Sequence, residues 1–385
     1  MRLKVLHFLV LFLSIAPAAP AGANALPGGY YKLWRVVRVI AVPWASAATP
    51  PAATQALSRA GVAFLDDAVK GPGPLACAHA TYSDRDTSFD DLFAGRIAED
   101  KIQEVFKTLD LEDVSPYGLR VICGGEVTTY LRIHSADLLV RAGDVILRLA
   151  PRENESGVDV AEWVQPITPG FDCDKASTTA EQLICMDFDV ARLDRTIARL
   201  YAALRHDVSE ASFATIQTTQ RIWLGHTARS CAGGPLPADW IERRDMTLCL
   251  RTAYEDWATL YKGLKVSRIG SLAIEPRMHI IAAERPRDKS DWIVYPWMIG
   301  SPEATATAFN ALIERRLAPQ STYLTGERVL EPDADYPISA WRSYKIDRTK
   351  DGSLSISIFG QVFNGGTQGE ISETIRFDMD HAAVK

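Results

Sequence analysis

The sequence runs to 385 residues, with a formal net charge of −6 and six cysteines. A mildly acidic chain lacks the basic patch that nucleic acid demands, and 47% hydrophobic residues exclude an intrinsically disordered protein. A chain of this length holds material for two or three domains.

Arg2 and Lys4 precede an apolar run from Val5 to Ile15, which ends in APAAPAGANA. A basic start, a short apolar core and the Ala23-Asn24-Ala25 site are the features of a secretory signal peptide over residues 1–25, cleaved after Ala25. The run is too short for a permanent bilayer anchor, and nothing later is a membrane-span candidate. The expected destination is therefore periplasmic or secreted. Cleavage leaves 40 basic against 48 acidic residues, a charge of −8. An even cysteine count in an exported chain agrees with oxidised pairs.

Residues 26–160 read as a mainly β domain. Tyr30–Val42 is rich in aromatic and branched residues, and short runs follow at Val62–Leu65, Leu119–Cys123, Val127–Ile133 and Val145–Leu149. Cys77 and Cys123 sit in two expected β segments, where a bridge between them would staple the sheet. Short strands with one helical pattern suggest a small barrel or sandwich. The opening YYKLWRVVRVIAVPWA resembles lipocalin-like domains, which implies a barrel closed by a tryptophan near its first strand. Asp84, Asp86, Asp90 and Asp91 read as a solvated acidic loop. Residues 151–170, with RENESG and QPITPG, read as a linker.

Residues 171–265 carry the clearest helical pattern. Leu183, Met186, Val190, Leu193, Ile197, Leu200 and Leu204 are spaced 3, 4, 3, 4, 3, 4, a stripe along six turns of one helix. Thr178 and Glu181 form a capping box ahead of it. A second pattern runs through Phe213, Ile216, Gln220, Trp223 and Thr227, and a third through Ile241, Leu248, Leu250, Tyr254, Trp257 and Tyr261. The loop Gly233-Gly234-Pro235-Leu236-Pro237 separates them. Cys173, Cys185, Cys231 and Cys249 allow three connectivities. Local pairing, Cys173 with Cys185 and Cys231 with Cys249, is preferred because it closes two small loops around a thin core. Zinc is the competitor, but C-x11-C and C-x17-C lack the tight knuckles of structural sites.

Together, Cys173, Lys175, Ala176, Glu181, Cys185, Leu193, Asp194, Tyr201, Gln220, Arg221, Trp223, Leu224, Cys231, Cys249, Leu250 and Tyr254 resemble the LprI-type lysozyme inhibitor domain of bacterial exported proteins. The match spans about a quarter of the chain. It implies a non-catalytic role with a lysozyme-type muramidase as partner. Two positions depart from the pattern, since the family carries arginines where this chain has Thr227 and Trp257.

Residues 270–385 read as an α+β domain. Ser353–Ile358 alternates serine with Leu354, Ile356 and Ile358, a half-buried strand. Asn364-Gly365-Gly366 marks a turn, and Ile371, Ile375, Phe377 and Met379 fall on one face of the next strand. A helix lies between Pro302 and Leu317, with Ala308, Leu312 and Ile313 inward. YPWMIGSPEATATAFNALIERRL with FNGGTQGEISETIRFDMD faintly resembles the extracytoplasmic domain of lysozyme-sensing anti-sigma factors and of some exported polysaccharide deacetylases.

The expected fold class is thus multidomain α+β, with an N-terminal mainly-β domain, a disulfide-stapled three-helix unit and a C-terminal α+β domain. No nucleophile, metal-ligand or phosphate-loop motif is legible, so no catalytic residue, metal or cofactor is expected. Two functions follow. One is a non-catalytic envelope protein that binds a lysozyme-type muramidase, with Ala232–Asp239 as the loop that occludes the cleft. The alternative is a cell-wall or envelope enzyme whose site is assembled from the terminal domains.

Overall fold

The computed structural model describes residues 26–27, 30, 33–42, 44, 56–86, 92–93, 95–101, 105–107, 117–133, 137–152, 159–281, 291–317, 338–349, 351–364 and 367–384. The expected signal peptide lies outside them, as do Asp90, Asp91, Gly365 and Gly366. The protein is a multidomain α+β chain with two compact units, residues 1–166 and 167–385.

The first unit is built on eight antiparallel strands: β1 (Leu33–Ala41), β2 (Gly61–Phe64), β3 (Val69–Lys70), β4 (Ala80–Asp86), β5 (Tyr117–Cys123), β6 (Glu126–Arg132), β7 (Leu138–Ala142) and β8 (Val145–Arg152). Their order is β3-β2-β1-β8-β7-β6-β5-β4. The two ends of that order meet. Val69 of β3 forms a bridge with Cys77, Cys77 is disulfide-bonded to Cys123 of β5, and the Tyr82 hydroxyl of β4 donates to the carbonyls of Leu65 and Ala68 at 2.5 and 2.7 Å. Asp84 and Asp86, read from the sequence as loop residues, lie on β4, where the ladder against β5 continues through Asp84↔Leu119 and Asp86↔Tyr117.

Period-two alternation divides the apolar residues between two faces. Tyr130, Leu138, Val140, Leu147 and Leu149 point inward with Trp34, Phe64 and Tyr82. Phe64 sits at the centre, edge-on to Trp34, Tyr82 and Tyr130 at 6.2, 6.2 and 5.0 Å, in the T-shaped geometry that ring quadrupoles favour. Leu131, Leu139 and Ile146 point outward, where Leu92, Phe93 and Phe106 cover them. Burial raises the Tyr82 phenol to about 12 and pushes Tyr130 higher still. Part of the expected linker completes this unit. The short helix α1 (Val160–Trp163) places the Trp163 indole over Gly61, where any Cβ would collide with it, and its Nε1 donates to the Trp34 carbonyl at 3.0 Å.

The second unit begins with four helices rather than three. The long stripe breaks near its start: α2 spans Thr179–Met186 and α3 spans Phe188–Asp207. Asp187 causes the break. It leaves helical geometry at φ −117°, ψ 126°, and its carboxylate accepts from the Val190 N–H, capping α3 afresh. The stripe survives because Leu183, Val190, Ile197 and Leu204 remain buried in one cluster. Helix α4 (Glu210–Ala232) and helix α5 (Trp240–Gly263) follow. The inward face of α5 is Leu250, Tyr254, Trp257, Ala258 and Tyr261. Ile241 and Leu248, assigned to it by the sequence pattern, are 43% and 55% exposed, because α5 contacts the other helices along its C-terminal half.

A seven-stranded sheet completes the unit: β9 (Ser267–Ile269), β10 (Leu272–Ile281), β11 (Asp291–Gly300), β12 (Ile338–Arg348), β13 (Leu354–Asn364), β14 (Thr367–Asp378) and β15 (Ala383–Val384), hydrogen-bonded in sequence order. Helix α6 (Glu303–Leu317) packs Phe309, Leu312 and Ile313 with Leu354, Ile356, Ile358, Ile375 and Phe377. The β11–β12 pairing is parallel and is confined to Trp292↔Trp341 and Ile293↔Arg342. Pro296, four residues beyond Trp292 on the same strand face, has no N–H to offer a neighbour.

Helices and sheet share one core. Met278, Ile280 and Val294 belong to the same hydrophobic cluster as Trp223, Trp257 and Tyr261. Beyond Ile274 the outer edge of β10 has no β9 partner, and α4 covers it. The Thr215 hydroxyl accepts from the Met278 N–H at 3.2 Å. The buried Glu275 carboxylate accepts from the N–H and hydroxyl of Ser209, the N-cap of α4, at 2.9 and 2.5 Å. An anion at a helix N-terminus is favoured by the macrodipole.

Candidate functional site

The residues behind the lysozyme-inhibitor resemblance come together in the helical half of the second unit, and most of them build its frame. Cys173 is bonded to Cys185 and Cys231 to Cys249, with Cα separations of 5.8 and 5.5 Å. The first bridge ties the turn before α2 to that helix, and the second ties the end of α4 to α5. Thr178 and Glu181 form the capping box, and the Glu181 carboxylate also accepts from the Ser177 N–H at 2.9 Å. Hydrogen bonds from the Thr178 and Ser177 backbones hold the Glu181 carboxyl below its ordinary range. Lys175 is exposed and pairs loosely with Asp172 at 3.5 Å, and Ala176 closes the turn.

Asp194 works nearly two turns inside α3. Its carboxylate accepts from the Gly170 N–H at 2.6 Å. The approach requires glycine, since a Cβ at 170 would lie 2.6 Å from the Ala198 Cβ. Burial raises the Asp194 carboxyl above its usual range, against the lowering effect of the Gly170 N–H.

Gln220 is the polar centre of the frame. Its Oε1 accepts from the Trp257 indole N–H at 2.6 Å and from the Tyr261 hydroxyl at 2.9 Å. Trp223 stacks on Trp257, and Tyr254 meets Trp223 edge-on at 5.0 Å. Tyr201 lies 5.0 Å from Phe213 and 6.5 Å from Tyr261. Leu250 is buried and Leu193 partly so, in the same cluster. Arg221 and Leu224 instead face outward, Leu224 being 39% exposed. The two departures from the family pattern are filled by packing: Thr227 and Trp257 are 5% and 2% exposed. Trp257 also carries the frame on to the sheet, edge-on to Trp292 at 6.4 Å, and Trp292 stacks on Trp341 at 5.4 Å.

The loop after α4 is held at both ends. The Gly234 carbonyl accepts from the Thr179 hydroxyl at 2.6 Å, and the Pro237 carbonyl accepts from Arg243 at 3.1 Å. Gly233 ends α4 so close to the helix that a Cβ would meet the Arg229 carbonyl at 2.5 Å. Gly233, Gly234 and Pro235 are exposed, whereas Leu236 packs against the helical core. At Gly233 and Gly234 the surface offered by this loop is backbone.

Sequence reasoning missed one cluster. Arg251 of α5 reaches Asp187 at 3.0 Å and Asp189 at 3.6 Å, in a half-buried group that pins the start of α3. The only hint was two aspartates at the head of an apolar stripe, 62 to 64 residues from their arginine. Among the described residues, no group of three or more His, Cys, Asp or Glu side chains is arranged to hold a metal ion, and no helix is long and apolar enough to cross a membrane.

No family model and no curated protein matches the chain. Among solved structures, a DUF3298 family protein from Pseudomonas aeruginosa PAO1 is similar over 32% of this chain, at 17% identity and a TM-score of 0.22. The match covers 55% of that protein, about half its length, and a likeness this slight carries no argument about function.

Proposed function

We propose that this is an exported, non-catalytic envelope protein whose helical segment binds a lysozyme-type muramidase and blocks its cleft. The observation that carries the reading is the frame itself. The residues that resemble the inhibitor family converge on a doubly disulfide-bonded aromatic core, and beside it Thr179 of α2 and Arg243 of α5 hold the Gly233–Pro237 loop at both ends. A segment fixed in advance loses little freedom on binding, which raises affinity for a given contact area. Three disulfides fit an oxidising compartment. Inhibition by this route needs no chemistry on the enzyme, only shape and backbone hydrogen bonds at the cleft.

The test is an inhibition and binding assay of the purified protein, lacking residues 1–25, against several lysozymes. Slowed cell-wall lysis with reversible, stoichiometric binding and an unaltered enzyme mass is expected for at least one of them. Full activity of every enzyme, with no binding by calorimetry, sinks the proposal. Replacing Pro235, Leu236 and Pro237 by Gly and Ser, with both cysteines kept, asks whether the loop is the contact.

A further inference from the structure

Among the described residues, the C-terminal sheet ends in a long edge that only β15 pairs with. Strand β14 pairs with β13 from Thr367 to Phe377, but on its other side β15 pairs only with Phe377 and Asp378. Among the described residues, Gly369–Arg376 has no strand on that side. Such an edge presents a row of N–H and C=O groups on which another strand can add.

The side chains along it are complementary to themselves. Glu370, Ser372, Thr374 and Arg376 share one face, opposite Gln361, Phe359, Ser357 and Ser355 of β13, and all four are exposed. Ile371, Glu373 and Ile375 share the other face, on which Ile375 packs with Phe309 of α6. A second copy of the strand, laid antiparallel about a twofold axis through Glu373, puts Glu370 opposite Arg376 of that copy and Arg376 opposite its Glu370. Ser372 then meets Thr374, and Ile371 meets Ile375. Glu373 meets its own counterpart on the axis, but each of these carboxylates is held by Arg316 of α6 at 3.1 Å. Sliding the register by two residues destroys both charge pairs: one shift sets Ile371 against Glu373, and the other needs the side of Asp378 that β15 already holds. Opposite charges directly across an antiparallel pair stabilise it, and like charges oppose it.

We propose that two copies of this chain join through β14, continuing the seven-stranded sheet across a twofold axis. A single strand edge buries little apolar surface, so the dimer dissociates on dilution.

Sedimentation velocity of the purified chain over a wide range of concentration tests this directly. The mass is expected to rise from one copy to two. Glu370→Arg and Arg376→Glu each place like charges across the joint twice, and each is expected to weaken the dimer by about tenfold or more. The double variant restores both pairs with their signs exchanged and is expected to recover the dimer. Circular dichroism should be unchanged in all three, since the altered side chains are exposed. Hydrogen exchange should protect backbone amides of β14 in the concentrated sample and release them in the dilute one. A chain that stays monomeric at every concentration overturns the proposal and leaves the edge to a strand from a different protein. A dimer indifferent to the single reversals overturns it as well, because the joint then lies elsewhere.

Discussion

Trp223 of α4 and Trp257 of α5 stack face to face, with ring centroids 4.7 Å apart and planes 1° from parallel. The contact occupies one of the two positions where the resembling family carries an arginine. Trp257→Ala should cost about 3–5 kcal/mol in denaturant unfolding, the usual range for emptying a large aromatic site. Trp257→Arg should be at least as damaging, because it sets an unpaired charge against Trp223 and Gln220. A Trp257→Arg variant as stable as the parent would show that the helices can part there.

Gln220 serves two donors with one oxygen. Gln220→Leu keeps the volume nearly constant and leaves the Trp257 N–H and the Tyr261 hydroxyl without their acceptor. A loss of about 1–3 kcal/mol per donor is expected in the same unfolding experiment. Gln220→Glu, which keeps an acceptor at the same reach, should recover part of it.

Two carboxyls in the frame respond to pH in opposite senses. The folded Asp194 carboxyl holds its proton to higher pH than the unfolded one. The folded form therefore binds more protons in the window that opens at the ordinary aspartate value, about pH 4, and stability falls as pH rises through that window. Asp194→Asn keeps an oxygen for the Gly170 N–H and removes the titration, so its unfolding midpoint should gain on the parent as the pH rises above about 4. Glu181 is held below its ordinary range, and its contribution is present above the unfolded value and lost as pH falls through the folded one. Glu181→Gln should thus lose ground at neutral pH and draw level in acid. Parallel midpoint curves for either variant and the parent would refute the corresponding assignment.

The three disulfides close loops of different sizes. Cys77–Cys123 spans 46 residues, against 12 and 18 for the other two. Chain-entropy arithmetic gives about 4 kcal/mol for the first and about 3 kcal/mol for each of the others. Replacing each pair by alanines should therefore cost most in the β unit. Thiol titration of the denatured, unreduced protein should find essentially no free thiol.

The shared core makes the helices and the C-terminal sheet unfold together. Met278→Ala should remove about 2–5 kcal/mol from both. Far-ultraviolet circular dichroism, dominated by the helices, and hydrogen exchange of the backbone amides paired between β12 and β13 should give coincident transitions. Separate transitions would mean that the helices stand without the sheet.

What could be seen in the sequence was what is local. The capping box joins Thr178 to Glu181, and the two helical disulfides join cysteines 12 and 18 residues apart. The alternation of Leu354, Ile356 and Ile358 follows from the pleat of one strand. What escaped depends on partners brought from far along the chain. Asp187 breaks the long stripe with the help of Arg251, 64 residues away, and Glu275 caps a helix from 66 residues beyond it. Ile241 and Leu248 fit the helical period but face outward, because periodicity states which residues share a face and leaves open what that face meets. The same gap applies to the frame residues: their spacing identifies a scaffold, and most of them are spent on holding it together.

The placement of β1 dictates an order of assembly. It takes β2 on one side and β8 on the other, and Trp163 closes over it by a hydrogen bond to a carbonyl 129 residues earlier. Nearly the whole of the first unit must therefore exist before its first strand gains its second neighbour. Pairings that remote have to overcome loop-closure entropy before any contact rewards them, so the unit belongs among slow-folding topologies. A chain emerging from the ribosome holds a Val-rich and Trp-bearing strand with one side unpaired until the last segments of the first unit appear. For that interval the strand is exposed to aggregation, and to any chaperone that recognises extended apolar segments.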